Sequence, residues 1–321
     1  MDTERGLRYY GWRVALAANL GVMVGFSLYA YTFSIFMKPL AAQFGWKREA
    51  IAQGFAISAL TAAVCSPLAG RFLDRHGPRR LLLACIALFG GAFLTLALLQ
   101  AGIWRFYLTC FMIGAVGNVI QMGYAHAIST WFSAYRGRAL GFVLAGEGVG
   151  LMVFPASAQL LIAHAGWRNA YAVLGTLILV IGLPPALLWA RASQEGEIAS
   201  QTAERSGKTL RQGLLSHSFW IIVAGLFLDS ISINGAMTHQ VPLLTDRGIA
   251  AGSAASTVSV LGGASLSGRL CTGWLLDRFP GQWVAFVLLT LASAGIFLLA
   301  RATSSLHASV AAVLLARLSQ D

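Results

Sequence analysis

The chain has 321 residues, of which 57% are hydrophobic and only 11% charged, and its mean hydropathy is positive. That leaves too little polar surface to cover a soluble globule of this size, so most of the surface must be solvated by lipid. The formal charge of +11 would suit a nucleic-acid binder, but the basic residues are scattered through short turns and no basic stripe with interleaved aromatics occurs, which excludes that class.

Each membrane crossing takes on the order of 20 mostly apolar residues. In chain order the sequence predicts spans near 12–36, 50–70, 81–100, 104–130, 139–163 and 168–190. The segment 191–216 carries Glu195, Glu197, Glu204, Arg205, Lys208 and Arg211 among Ser, Gln and Thr, and reads as a linker. Spans near 217–244, 252–276 and 283–300 follow, and the short apolar stretch 306–316 reads as the first part of a tenth. The predicted fold class is all-α, a polytopic membrane helical bundle, with an N-terminal six-helix bundle (1–190), a cytoplasmic linker (191–216) and a second bundle (217–321).

Orientation follows from the positive charges. With the N-terminus in the cytoplasm, fifteen of the 23 Lys and Arg residues fall on that side and seven on the other, Arg269 being set aside as intramembrane. The positive-inside bias therefore predicts a cytoplasmic N-terminus. Trp12, Trp46, Trp104, Trp131 and Trp167 sit near span ends, as interfacial belt residues do. Cys65, Cys85, Cys110 and Cys271 lie within apolar segments without metal-ligand spacing, so they read as small packing residues. Gly141, Gly146, Gly148 and Gly150 precede Pro155 in the fifth span. Small residues there allow close helix approach, for static packing or for a moving bundle alike.

Two charged turns stand out. Gly70-Arg71-Phe72-Leu73-Asp74-Arg75-His76-Gly77-Pro78-Arg79-Arg80 lies between the second and third spans, and a partial copy, Gly273-Trp274-Leu275-Leu276-Asp277-Arg278, follows the eighth. One charged turn used twice in the same setting implies a duplicated membrane protein, a common way to build a site between two bundles.

Gly70, Asp74, Arg75, Gly77, Arg79 and Arg80 resemble the loop motif of the major facilitator superfamily, and Gly273, Asp277 and Arg278 resemble its degenerate second copy. Tyr10-Gly11-Trp12, Trp131-Phe132 followed by Arg136-Gly137-Arg138-Ala139-Leu140-Gly141, and Gly166-Trp167-Arg168 are similar to the branch of monocarboxylate transporters and oxalate/formate antiporters. The resemblance implies twelve helices, so a chain with nine full spans and part of a tenth is expected to be C-terminally truncated, with an incomplete second half.

The resemblance also implies roles. Arg269 occupies the place of an eighth-helix arginine that binds a substrate carboxylate, and a guanidinium at that depth is costly unless it faces water or a partner. Its planar fork grips a carboxylate at two points. Tyr29, Tyr31 and Tyr124 are placed where the family lines its cavity. Proton coupling needs an intramembrane titratable group, and the candidates are Glu147, Asp229, His126 and His239. Gly70, Asp74, Arg75, Gly77, Arg79, Arg80, Asp277 and Arg278 are assigned to gating, a carboxylate at the loop capping the positive end of a neighbouring helix.

The expected activity is secondary active transport of a small organic anion, a mono- or dicarboxylate, by alternating access with proton symport or anion exchange. Its partners are the anion, protons and the bilayer, in the plasma membrane, without nucleic acid, metal, cofactor or enzymatic chemistry. A drug or solute exporter, a non-transporting membrane receptor and an inactive truncated product remain open alternatives.

Overall fold

The computed structural model describes residues 9–191, 193, 210–248 and 251–301; within these ranges, the side chains at 74–76, 210–211, 226, 229–230, 233–242, 245, 251–262 and 266, among them Asp74, Arg75, Asp229 and His239, lie outside the described residues. The predicted stretch 306–316 and most of the predicted linker also lie outside them. The elements run α1 (Tyr10–Met23), α2 (Phe26–Phe44), α3 (Arg48–His76), α4 (Pro78–Ala97), α5 (Ile103–Trp131), α6 (Arg136–Trp189), α7 (Leu210–Leu214), α8 (His217–Asp246), α9 (Ala251–Leu276) and α10 (Gly281–Ala300). Contacts divide the chain into two compact units, Met1–Glu197 and Ile198–Asp321.

In the first unit, six spans are threaded as five segments long and apolar enough to cross a membrane, with α1 and α2 together forming the first. That first span breaks at Val24 and Gly25, where Gly25 is extended and the Ser27 hydroxyl donates to the Val22 carbonyl at 3.1 Å. Beyond the break, α2 runs on past Lys38 and Pro39 to Phe44, where Gly45 closes it in the left-handed region. The helix thus continues past the predicted end near 36, since a single proline bends a membrane helix without ending it.

The fifth and sixth spans share α6, which stays helical through Pro155 and turns sharply at Gly166, with φ 79° and ψ 162°. The turn between α3 and α4 uses the same device, since Gly77 has φ 73° and ψ 163°. Both conformations belong to a region that only glycine enters freely. Pro78 then occupies the first turn of α4, where its missing N–H leaves nothing unsatisfied.

The two turns form a structural repeat. Two residues after Gly77, the Arg79 guanidinium donates to the Leu187 carbonyl at the far end of α6, at 2.8 Å. Two residues after Gly166, Arg168 donates to the Leu99 carbonyl just past the end of α4, at 3.1 Å. The third and sixth spans thus run antiparallel, each capping the other's C-terminal carbonyls with an arginine. Between these ends, a methyl group on Gly175 would stand 3.0 Å from the Gly90 carbonyl, so the two backbones nearly touch. This is a three-plus-three inverted arrangement inside one half.

Hydroxyls inside the spans bond to their own helix: Thr32 to Leu28, Thr61 to Ile57 and Ser66 to Ala62, all at 2.7 Å. With no water to compete, such back-bonding keeps the polar atoms satisfied. Outside the bundle core, Leu60, Leu108, Leu160 and Val180 are largely exposed, an arrangement suited to lipid and adverse in water. Cys85 and Cys110 are buried in the first unit, Cys65 is half-buried, and Cys271 in the second is exposed.

In the second unit, α8, α9 and α10 pack on one another, and the short α7 packs on α8. Arg247, just past α8, donates to the Leu299 carbonyl at 3.1 Å and to the Ala300 carbonyl at 2.6 Å, again closing a helix C-terminus with a guanidinium.

Candidate functional site

Around the break in the first span, polar residues from three helices converge. Asn19 in α1 donates through Nδ2 to the Phe142 carbonyl of α6 at 2.7 Å. Gly146 lies against the Asn19 carbonyl so closely that no side chain fits, and a methyl group on Gly150 would stand 3.0 Å from the Met23 carbonyl. The fifth span is therefore pressed onto α1 just before the break. Of the four glycines singled out there, these two serve close approach.

That contact positions Glu147, the residue after Gly146. It is half-buried, and the Tyr31 hydroxyl of α2 donates to its Oε1 at 3.5 Å, at the long limit of a hydrogen bond. A phenol and a carboxyl from two different helices thus meet beside the break in the first span.

The other two tyrosines lie elsewhere. Tyr29 is only two residues from Tyr31, so it faces the opposite side of α2. It is 2% exposed, stacks on Phe55 at 5.8 Å and meets Phe26, Phe33 and Phe93 edge-on or tilted, with its hydroxyl 3.5 Å from Cys110 Sγ. Tyr124 is fully buried against Gly21, and its hydroxyl has no hydrogen-bond partner among the described residues. His126 is half-buried on α5, and no hydrogen bond among the described residues joins its ring to the Tyr31 and Glu147 pair.

In the second unit, Arg269 is 6% exposed. Ser265 and Thr272, one turn before and one after, are buried on the same face of α9, and Gly268 and Gly273 are buried alongside. Arg269 is thus the one charged residue of a helix otherwise made of apolar, glycine and hydroxyl side chains, and it is buried on a face that carries two of those hydroxyls. Near the end of this helix Asp277 is half-buried, whereas Arg278 is exposed with its guanidinium 4.3 Å from the Trp274 ring centre.

The first charged turn has a clear local structure. Gly70 is half-buried, with Met122 the nearest obstacle to a side chain; Gly77 makes the turn; Arg79 caps the sixth span; and Arg80 is exposed. Asn19, Gly21 and Arg168 are structural contributors that their types alone do not advertise. Of these, only Arg168 leaves a legible trace, because Gly-Trp-Arg repeats the Gly-Pro-Arg of the first turn.

Against known proteins, the profile of the Major Facilitator Superfamily matches residues 10–320. The chain is 26% identical to monocarboxylate transporter 13 of Bos taurus, over 90% of this chain and 67% of that protein. It is 26% identical to the oxalate:formate antiporter of Oxalobacter formigenes, over 72% of this chain and 55% of that protein. Another similar protein is the fujikurins efflux protein of Gibberella fujikuroi, at 29% identity over 69% of this chain and 47% of that one. Among solved structures, the proton:xylose symporter XylE superposes with a TM-score of 0.65 at 16% identity, over 96% of this chain and 79% of that one. The chain thus spans about half to two thirds of the length of these curated relatives.

Proposed function

Since the chain belongs to the major facilitator superfamily of membrane transporters, we propose that it serves secondary active transport of a small organic anion, a mono- or dicarboxylate, by alternating access. Arg269 carries this reading, because a guanidinium 6% exposed on an apolar membrane helix is costly without a function and is well shaped for a carboxylate. The similar monocarboxylate transporter and oxalate:formate antiporter point to the same substrate class. Arg269 contacts the substrate carboxylate, with Tyr31 and the other two tyrosines as the remaining candidates.

Transport is driven by proton symport or anion exchange. Glu147 is the leading proton carrier, because Tyr31 is within 3.5 Å of its carboxyl, whereas Asp229, His126 and His239 are secondary candidates. The gating set comprises Gly70, Asp74, Arg75, Gly77, Arg79, Arg80, Asp277 and Arg278, at the cytoplasmic face with the N-terminus on the same side. The six-helix bundle at 1–190, the linker at 191–216 and the bundle from 217 are the moving parts.

Uptake of a labelled carboxylate into proteoliposomes tests the assignment. Arg269→Ala is expected to reduce uptake at least about a hundredfold and Arg269→Lys to restore little, since a point charge does not replace a two-point grip. Uptake unchanged in Arg269→Ala overturns it. With Glu147→Gln, proton-driven uptake falls while substrate exchange persists if Glu147 carries the proton. A solute exporter is the second reading, favoured by the similar efflux protein; resistance of cells to a toxic solute, with no response to carboxylates, would select it.

A further inference from the structure

On the outer face of the first unit, α4 and the beginning of α5 enclose a groove of about 550 Å³, within the size range of small-ligand sites. Its wall is mainly apolar, with Leu88, Leu98 and Leu108 exposed along it. Arg105 forms part of the lining, and Thr95 and Thr109 add hydroxyls. We propose that this groove is a binding site for an anionic phospholipid, one acyl chain lying along the leucines and the phosphate resting on Arg105.

Position comes first. Arg105 lies in the first turn of α5, and its neighbour Trp104 is 79% exposed. A bare indole at a span end sits at headgroup level, so the guanidinium beside it stands where lipid phosphates are found. The leucines extend from there towards the bilayer interior.

Charge selects the headgroup. The Arg105 side chain bonds to the neutral amide of Gln100, at 2.6 Å, and to no carboxylate among the described residues. The same end of the unit carries Lys38, Lys47, Arg48 and Arg168 against the single acid Glu49. A phosphodiester accepts from a guanidinium at two points, and a net negative headgroup is further favoured by that cationic rim. A zwitterionic headgroup brings its own cation and loses most of that preference.

Shape leaves room for the chain. A methyl group added at Gly91, which lines the groove, would meet nothing within 4 Å. Gly91 is therefore not required for helix packing, and its missing side chain leaves the groove open. A bulky residue there fills the groove without disturbing the fold.

The test uses the full chain, purified in detergent and titrated with phosphatidylglycerol or phosphatidylcholine of the same acyl composition, with bound lipid counted by native mass spectrometry. Phosphatidylglycerol is expected to bind about tenfold tighter, equivalent to about 1.4 kcal/mol. Arg105→Gln weakens phosphatidylglycerol binding more than phosphatidylcholine binding and so narrows that preference, and Gly91→Trp displaces both lipids while the melting profile is retained. Equal binding of the two lipids by the unaltered chain overturns the proposal. So does undiminished phosphatidylglycerol binding in Gly91→Trp, or a dimer that Gly91→Trp splits, which would make a second copy of the chain the occupant.

Discussion

Replacing Arg79 and Arg168 by alanine, singly and together, probes the reciprocal capping of the third and sixth spans. Each guanidinium makes one hydrogen bond to a helix-terminal carbonyl, at 2.8 and 3.1 Å. Such a charge-assisted bond is worth about 1.5–3 kcal/mol when buried, and nearer about 1 kcal/mol at these partly exposed ends. Its position at a helix C-terminus adds about 0.3–1 kcal/mol. Arg168 also stacks 4.3 Å over the Trp167 ring, for roughly a further 0.5–1 kcal/mol. Arg79→Ala is therefore expected to cost about 1.5 kcal/mol and Arg168→Ala about 2 kcal/mol. The 20-residue α4 separates the two sites by about 30 Å, so the losses should add to within about 0.5 kcal/mol. Equilibrium unfolding in mixed micelles, followed by helical circular dichroism, measures all three. A neutral Arg168→Ala, or a double variant more than about 1 kcal/mol from the sum, would refute independent capping at two ends.

Two further perturbations act on backbone rather than charge. Gly146→Val drives a branched side chain into the Asn19 carbonyl and is expected to cost about 1–3 kcal/mol in the same unfolding assay, together with loss of transport. Full stability in that variant would show that the fifth span does not press on α1. Gly77→Ala places a side chain at φ 73° and ψ 163° and is expected to cost about 1–3 kcal/mol, while Gly91→Ala, which meets no neighbour, is neutral or slightly stabilising in the same measurement.

Most spans were legible because lipid imposes one rule, a run of about twenty apolar residues, and it acts along the chain. What the rule does not register is a break within an apolar run. Val24 and Gly25 lie within an apolar run that gives no sign of a break, and α2 continues through Lys38 and Pro39 past the expected end near 36. Arg269 was legible because a lone guanidinium in an apolar helix is conspicuous at once. The Tyr31 and Glu147 contact was not, since the two lie on separate helices and no periodicity relates residues across a bundle. The separation of Tyr29 from Tyr31, by contrast, follows from helical geometry alone. The inner repeat also had a trace, in the matched Gly-Pro-Arg and Gly-Trp-Arg, though only the paired carbonyls at Leu187 and Leu99 give it meaning.

Tied at both ends and nearly touching at Gly90 and Gly175, the third and sixth spans resist sliding along each other in either direction. Displacement within this unit then falls to other helices, among which the first span is cut into two short rods at Gly25. Fixed beam and jointed strut make different demands on sequence. Substitutions that stiffen the beam should be tolerated, whereas those that heal the break at Gly25 should lock the unit in one state while leaving it fully folded.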